Sequence, residues 1–150
     1  MLVLLSLLSN ESYGQNTREE YVRSFSDLAM REMIRVGIPA SITLAQGCLE
    51  SSNGNSTLAT SGNNHFGIKC HDWNGKKIFH DDDKRNECFR SYASAYASYM
   101  DHSEFLSTST RYASLFELNP HDYRGWAKGL KSAGYATARN YATLLIRIIE

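Results

Sequence analysis

Apolar residues recur at helical spacing along most of the chain, with one interruption near the middle. The first helical run lies between Thr17, which can cap a helix, and Gly37, which can end one. Glu19 and Glu20 fall in its first turn, where the helix dipole favours acidic side chains. We therefore predict a helix over 17–36. Its apolar positions are Tyr21, Phe25, Leu28, Ala29, Met33 and Val36.

A second helical run follows Pro39, a residue suited to the first turn of a helix. Its polar face ends at Glu50, the only charged residue between Arg35 and Lys69. Burial and the negative end of the helix dipole would each raise the pKa of Glu50, the direction that a general acid requires. Gly47 lies one turn earlier, and we expect its missing side chain to leave open space beside the carboxylate. The apolar stripe is Ile38, Ile42, Ala45, Cys48 and Leu49, and the polar face Thr43, Gln46, Gly47 and Glu50.

The middle of the chain loses the helical spacing. Residues 51–64 are rich in Ser, Thr, Asn and Gly and are predicted to form a loop. The segments 76–80 and 87–92 are predicted to be the strands of a β-hairpin, whose tip carries three consecutive aspartates. Cys70 and Cys88 flank this hairpin, so we predict a disulfide between them, worth about 3 kcal/mol of stability. The third cysteine, Cys48, is expected to pack as a small hydrophobic residue.

The second half returns to helical spacing. We predict a helix after Ser94, with Tyr92, Tyr96, Tyr99 and Met100 on one face, and a short helix over 112–116. Asn119-Pro120 predicts the start of the next helix and Gly134 its end, and the last helix is predicted over about 140–150. Helices on both sides of one hairpin indicate an α+β fold. We expect a mainly helical body and a small β-hairpin lobe that flank a substrate cleft.

Composition narrows the class of protein. A chain of 150 residues has the size of one domain. Sixteen basic residues balance sixteen acidic ones, so bulk charge favours neither nucleic acid nor an acidic membrane as a partner. Nine tyrosines and two tryptophans offer flat faces that suit sugars, although tyrosine also fills half-buried structural positions. We expect a monomer that does not insert stably into membranes.

Residues 1–14 are predicted to form a signal peptide, with cleavage between Gly14 and Gln15. Leu2 to Leu8 make an apolar core that is too short to span a membrane. The segment has no Lys or Arg, so a frayed apolar N-terminus of a cytosolic protein is the alternative. With a signal peptide, the mature chain would be secreted or lie in the periplasm or cell envelope, where disulfides form.

The residue types allow glycoside hydrolysis. This reaction needs a protonated carboxylic acid and a second group that handles the sugar cation, which is a carboxylate or the substrate's own acetamido oxygen. Glu50 is the best candidate for the acid. The identity of the second carboxylate stays open. The aspartates at the hairpin tip could equally form a solvated turn, and Asp101 could equally cap its helix or pair within it. The candidates are Asp81, Asp82, Asp83, Glu87 and Asp101.

Metal and cofactor chemistry fit the sequence less well. Cys70, His71, His80 and Cys88 lack the paired spacing of a zinc site. The three aspartates are not followed by the Gly and Glu of an EF-hand loop, and no Gly-rich phosphate loop is present. We expect no metal and no cofactor.

Several motifs together resemble one family. The segment AQGCLESSNGNS is similar to the AQ-x-x-x-E-S-x-x-G-x-S motif of the β-N-acetylglucosaminidase domains of glycoside hydrolase family 73, which occur in bacterial autolysins and flagellar peptidoglycan hydrolases. Further similar segments follow in the family's order and cover most of the chain after Thr17. They are NHFGIK at 64–69, FRSY at 89–92, Asp101-His102 with Phe105-Leu106, and WAKGLKSAGYATARNYA at 126–142.

The resemblance implies a lysozyme-like glucosaminidase domain over 17–150 that cleaves the β-1,4 bond after N-acetylglucosamine in peptidoglycan glycan strands. It implies that Glu50 is the general acid and that Asp81 or Asp82 supplies the second carboxylate. The family's AGYAT tyrosine, near the reaction centre, falls on Tyr135, for which a core-edge position is the alternative. The implied substrate-binding residues are Asn64, Phe66, Lys69, Tyr92, Asp101 and Tyr141.

Two departures from the family pattern matter. Family members often have an aromatic residue after the acid, where this chain has Ser52-Asn53, so one sugar subsite is expected to differ. Cys70 and Cys88 are not general to the family, and their disulfide would stiffen the hairpin lobe. The alternatives are a non-catalytic glycan-binding module of the same fold, a muramidase or lytic transglycosylase, and, more remotely, an enzyme acting on N-glycans.

Overall fold

The computed structural model describes residues 15–150 and consists of helices with one two-stranded antiparallel sheet. The predicted signal peptide, 1–14, lies outside the described residues. The elements are α1 (Arg18–Val36), α2 (Ala40–Ser51), α3 (Thr57–Gly62), β1 (Lys77–His80), β2 (Glu87–Arg90), α4 (Ala95–Thr108), a 3-10 helix (Thr110–Glu117), α5 (Tyr123–Ser132) and α6 (Tyr141–Ile149). This is the mainly helical α+β arrangement that the sequence predicts.

Helix α1 begins and ends as its sequence predicts. The Thr17 hydroxyl accepts a hydrogen bond from the backbone N–H of Glu20, and the Glu20 carboxylate accepts one from the backbone N–H of Thr17. This reciprocal pair satisfies two backbone donors at the helix start. At the other end Gly37 takes a left-handed conformation, and its N–H bonds the Met33 carbonyl at 2.9 Å.

Helix α2 runs through the core and packs against α1, α5 and α6. Its predicted apolar stripe is confirmed, because Ile42 and Ala45 are fully buried in the main hydrophobic cluster. The predicted polar face is buried as well, including Thr43 and Gln46. The expectation that Gly47 leaves space beside Glu50 is wrong, because a side chain there would collide with the Tyr21 hydroxyl of α1. That glycine makes room for a tyrosine, and the core cluster also contains Trp126, Leu130, Tyr141 and Leu145.

The predicted loop over 51–64 contains the short helix α3. Its start is fixed by Ser56, whose hydroxyl accepts a hydrogen bond from the N–H of Ala59 at 3.2 Å. Asn63 ends it in a left-handed conformation. The helix packs on the hairpin, since a side chain added at Gly62 would lie 3.1 Å from Ile78. The polar composition of this segment predicts a loop, but the caps at Ser56 and Asn63 allow a short helix to form.

The hairpin is confirmed, with slightly shorter strands than predicted. Its register pairs Lys77 with Arg90 and His80 with Glu87. Cys70 and Cys88 form the predicted disulfide, with Cα atoms 5.4 Å apart. Cys48 is free and buried, as expected. Because Cys70 and Cys88 are bonded to each other, neither thiol is free to bind a zinc ion with His71 and His80. No group of three or more His, Cys, Asp or Glu side chains in the described chain could hold a metal ion.

The helices after the hairpin differ from prediction in two details. The tyrosines predicted to share one face of α4 have different environments: Tyr99 is buried in the core, whereas Tyr96 is 46% exposed. Helix α5 begins at Tyr123 after Asp122, whose carboxylate accepts a hydrogen bond from the N–H of Gly125. Asn119 does not cap it, because its side chain bonds the N–H of His121. No helix within residues 15–150 is both long and apolar enough to cross a membrane.

Candidate active site

An open cleft of about 420 Å³ lies between the helical body and the hairpin. Its walls come from the end of α2, the segment before the hairpin, the hairpin tip, α4, the 3-10 helix, and the segment between α5 and α6. Glu50, Gly67 and Asp82 line it, together with Phe66, Ile68, Lys69, His71, Asp83, Phe105, Arg111, Tyr112, Gly134, Tyr135, Ala136 and Thr137. The predicted cleft beside the hairpin is therefore present.

Glu50 occupies the last turn of α2 and is half-buried in the wall of the cleft. Burial, which disfavours the charged form, raises the pKa of its carboxyl to about 7, and the charge of Asp82 adds to the rise. The neighbouring Tyr141 hydroxyl lowers the Glu50 pKa and so opposes the rise. An acid with a pKa near neutrality can hold a proton and release it at physiological pH.

Gly67 lies beside one carboxyl oxygen of Glu50. A Cβ atom at this position would lie 3.8 Å from Glu50 Oε2. The backbone has φ +63°, in the left-handed region that favours glycine. The sequence contained this residue within the NHFGIK segment, but no pattern assigned it a place beside the acid.

The hairpin tip separates the two candidate second carboxylates. Asp82 lines the cleft and acts electrostatically on Glu50. Asp81 does not line the cleft, and its carboxylate accepts a 2.6 Å hydrogen bond from the backbone N–H of Asn86. Asp81 thus closes the turn that presents Asp82.

Lys69 ties the cleft wall to the hairpin. Its ammonium group lies 2.9 Å from the Glu87 carboxylate and 3.7 Å from that of Asp83. The hydrogen bond from Lys69 lowers the pKa of Glu87, and the same contact raises the pKa of Lys69. This cation also offsets the repulsion among the acidic side chains at the tip.

Two tyrosines stack beside Glu50. The rings of Tyr135 and Tyr141 lie 5.8 Å apart between centroids and are nearly parallel, at 16°. Tyr141 is 1% exposed and packs in the core, and its contact with substrate stays a prediction. Tyr135 lines the cleft, and its buried hydroxyl has no hydrogen-bond partner among the described residues. It is therefore an unsatisfied donor in the cleft wall.

Three other predicted substrate-binding residues have structural contacts away from this cleft. Asn64 is buried, and its amide bonds the backbone of Ile68 and Arg90, which joins the segment before the hairpin to β2. The buried Tyr92 donates a 2.6 Å hydrogen bond to Asp101. Asp101 also pairs with Arg90 at 2.9 Å. None of the three lines this cleft, and their contact with substrate stays a prediction.

Phe66 lies in the cleft wall but is only 2% exposed. Its ring stacks on that of His102, with centroids 4.0 Å apart and planes 21° from parallel. Packing is therefore its main role, as an aromatic residue at a core edge would suggest.

The family model described as "Glucosaminidase: Mannosyl-glycoprotein endo-beta-N-acetylglucosaminidase" matches residues 26–150. The chain belongs to the glucosaminidase family. This confirms the resemblance carried by the motifs from AQGCLESSNGNS onward. The family match covers every residue that lines the cleft.

Two curated relatives are similar over nearly the whole chain. The peptidoglycan hydrolase FlgJ of Vibrio parahaemolyticus is 30% identical, with 96% of this chain and 50% of the relative covered. The exo-glucosaminidase LytG of Bacillus subtilis is also 30% identical, with 95% and 54% covered. The chain therefore spans about half the length of these glucosaminidase-family relatives.

Solved structures confirm the lysozyme-like fold. The peptidoglycan hydrolase from Sphingomonas sp. A1 matches with a TM-score of 0.78 and 29% identity, covering 89% of this chain and 88% of that one. The glycoside hydrolase domain of Salmonella typhimurium FlgJ matches with a TM-score of 0.72 and 29% identity, covering 89% and 87%.

Sequence reasoning missed several residues of this glucosaminidase-family cleft. Arg111 and Tyr112 reach it from the 3-10 helix, and His71 from the segment before the hairpin. The ring of His71 stacks on Phe105 at 6.0 Å between centroids. No local pattern in the sequence identifies them, because their place depends on how the 3-10 helix and the hairpin pack around α4.

Proposed function

We propose that this glucosaminidase-family chain is a peptidoglycan hydrolase that cleaves the β-1,4 bond after N-acetylglucosamine, with Glu50 as the general acid. The observation that carries the proposal is a half-buried carboxyl with a pKa raised to about 7, in the wall of an open cleft. The relatives named as peptidoglycan hydrolase and exo-glucosaminidase support the substrate class.

The proton of Glu50 is the centre of the proposed reaction. A pKa raised to about 7 lets Glu50 both hold and release this proton near neutral pH. Donation to the glycosidic oxygen lets the leaving sugar depart as an alcohol while positive charge develops on the sugar that remains. The water that completes hydrolysis returns a proton to the ionised Glu50.

Asp82 is proposed as the second carboxylate. It lies on the hairpin side of the cleft and is exposed. Its carboxylate can stabilise the sugar cation or activate the attacking water. Asp81 is proposed only as the residue that closes the turn, because its carboxylate is held by Asn86.

Tyr135 is proposed to contact the reacting sugar. Its hydroxyl lacks a partner among the described residues, and burial raises its pKa well above the usual value, which keeps it a neutral donor. A sugar hydroxyl or acetamido oxygen in the cleft would satisfy this donor. Lys69 is proposed to hold the hairpin in place beside the substrate.

The chain is proposed to work outside the cytoplasm. The disulfide between Cys70 and Cys88 suits an oxidising compartment, and the proposed substrate class supports an activity at the cell envelope. We propose residues 1–14 as a signal peptide that is removed, 17–150 as the glucosaminidase domain, and a monomer as the working form.

Mass spectrometry of muropeptides released from purified peptidoglycan tests the proposal. The wild-type chain should release fragments with N-acetylglucosamine at the new reducing end, while Glu50→Gln should still bind the sheets without releasing fragments. Muramic acid at the reducing end would favour a muramidase or lytic transglycosylase. Binding without release by the wild type would favour a glycan-binding module.

A further inference from the structure

A second pocket of about 390 Å³ adjoins the cleft and shares two wall residues with it. His71 and Phe105 line both spaces, and their rings lie 6.0 Å apart between centroids and 23° from parallel. Glu50 lines only the cleft, so the proposed reaction does not account for the second pocket. A polymer that passes Glu50 and extends beyond these two rings would enter it.

An ion pair between Arg90 of β2 and Asp101 of α4 lies in the wall of this pocket. Arg90 Nη1 donates to Asp101 Oδ2 at 2.9 Å, and the Tyr92 hydroxyl donates to the same oxygen at 2.6 Å. Arg90 Nε also donates to the Lys69 carbonyl at 3.1 Å. The guanidinium lies over the Trp73 ring, 5.0 Å from its centroid. Both charged side chains are therefore held in place before any ligand arrives.

These contacts leave one hydrogen-bonding atom of each side chain unused. Arg90 Nη2 and Asp101 Oδ1 take part in no hydrogen bond within residues 15–150. Neither is among the buried polar atoms of the described chain that lack a partner, so both are open to solvent. Because Arg90 is only 8% exposed and lines the second pocket, a molecule would reach its free donor from that pocket.

A fixed donor beside a fixed acceptor suits two neighbouring polar groups of a sugar. One group can accept from Arg90 Nη2 while the next donates to Asp101 Oδ1. N-acetylglucosamine has such neighbours in its ring hydroxyl and acetamido groups. A carboxylate or ammonium ion would pair with one member and meet the like charge of the other, so the pair favours a neutral ligand.

The aromatic wall completes the match to a sugar. The apolar C–H face of a sugar ring can pack on an aromatic ring, and Phe105 and His71 supply flat surfaces between the two spaces. A few fixed polar groups beside such a surface are typical of a small-molecule site. Because the same wall borders the cleft, a glycan strand could contact both spaces at once.

We propose that the second pocket is a further sugar-binding subsite, in which Arg90 donates to one polar group of the sugar and Asp101 accepts from its neighbour. The inference rests on the proposed function in that the sugar belongs to a glycan strand that passes Glu50. Tyr92 is a positioning residue, because it helps to hold Asp101 through Oδ2. The predicted contact of Asp101 with substrate is thereby assigned to the second pocket.

Isothermal titration of Glu50→Gln with N-acetylglucosamine oligomers of two to six sugars tests the proposal without turnover. We expect the affinity to rise by about tenfold at the length that first reaches the second pocket, because a charge-assisted hydrogen bond and ring packing are added. The same affinity at every length, or no binding of the longest oligomer, would overturn the proposal.

Thr108→Phe in the Glu50→Gln chain assigns this rise to the second pocket. Thr108 is exposed at the end of α4 and lines the pocket, so a phenyl ring there should obstruct it and remove the rise. Ser107→Phe is the matched control. Ser107 is also exposed, its hydroxyl bonds the same Glu104 carbonyl as that of Thr108, and it lines neither pocket. A rise that survives in Thr108→Phe as in the control would overturn the proposal.

Asp101→Asn in the same chain tests the acceptor. The Asn oxygen can take the place of Oδ2 beside Arg90 and Tyr92, which turns an amide N–H toward the pocket where an acceptor was needed. We expect most of the rise with oligomer length to be lost. An ion pair that only joins β2 to α4 would instead lower stability in denaturant and leave the rise intact, and this result would overturn the proposal.

Backbone NMR of Glu50→Gln gives a second measurement that needs no variant in the pocket. Long oligomers should shift the N–H signals of Asp72 and Ser109, which line only the second pocket, and the shortest should not. No shift with any oligomer would overturn the proposal. A chain that shows these shifts and the rise in affinity, but whose wild type releases no muropeptides, contradicts the proposed function alone.

Discussion

Gly67 stands directly against the proposed acid, since a Cβ atom there would lie 3.8 Å from Oε2 of Glu50. We expect Gly67→Ala to lower kcat/KM for peptidoglycan by about tenfold or more, because the added methyl group and the backbone shift it causes would disturb the approach of the glycosidic oxygen. The left-handed backbone at φ +63° should also cost about 1–2 kcal/mol of unfolding free energy.

Gly37→Ala separates these two effects. Gly37 also has a positive φ, at +93°, with no neighbouring atom within 4 Å of an added Cβ. It ends α1, and it does not line the cleft. Chemical denaturation should show a similar loss of stability in both variants, and enzyme assays a loss of activity in Gly67→Ala only. Equal activity of the two variants would contradict the place given to Gly67.

Substitution of the two hairpin aspartates should have different effects on activity. Asp82→Ala should lower kcat by about 100-fold or more, because the cleft loses the carboxylate that we propose to act with Glu50. It should also move the alkaline limb of the pH profile to lower pH, because the charge of Asp82 raises the Glu50 pKa. Muropeptide release across a pH series measures both effects.

Asp81→Ala is the neighbouring control on the same exposed turn. It removes the 2.6 Å hydrogen bond to the backbone N–H of Asn86, so it should loosen the tip and lower activity only modestly. A larger loss of activity in Asp81→Ala than in Asp82→Ala would reverse the assignment of the second carboxylate.

Local signals explain which parts of the fold the sequence predicts. The caps of α1 and the strands and disulfide of the hairpin depend on residues close in the chain or on one clear pattern. The role of Gly47 was mistaken because the atom that fills its space belongs to Tyr21, on another helix. Helix α3 was missed because its start is defined by Ser56 in a segment of turn-forming composition.

Less of the candidate active site than of the fold can be predicted from the sequence. Glu50 stands out in the sequence because it is one charge at the end of an apolar helix. The choice between Asp81 and Asp82 depends on the turn at the hairpin tip, which the alternation of the strands does not specify. The contact between Arg90 and Asp101 joins β2 to α4, and only the fold brings these two side chains together.

The disulfide between Cys70 and Cys88 is expected to stabilise the lobe that carries Asp82. It closes a loop with a sequence separation of 18, which corresponds to about 3 kcal/mol. The double variant Cys70→Ser/Cys88→Ser should lose stability of this size in denaturant titrations. It should also lose activity at temperatures below its unfolding transition, because the hairpin tip is held less firmly.

A thiol titration provides the check on pairing. The denatured, non-reduced wild type should show one free thiol, that of Cys48, and three after reduction. Cys48→Ala serves as the control, with no free thiol before reduction. Three thiols in the non-reduced wild type would contradict the disulfide and with it the stabilisation of the lobe.

Glu50 should make the folded chain less stable as pH rises. Its pKa is about 7 when folded, against 4.5 ordinarily, so the folded chain binds this proton more tightly than the unfolded chain. The stabilising contribution is full below about pH 4.5 and is lost as pH rises through about 7, a change of roughly 3 kcal/mol. Glu50→Gln has no proton to lose, so its stability relative to wild type should increase over this range. Denaturant titrations of both chains between pH 4 and pH 8 measure the difference, and parallel curves would show that Glu50 titrates normally and is a poor general acid.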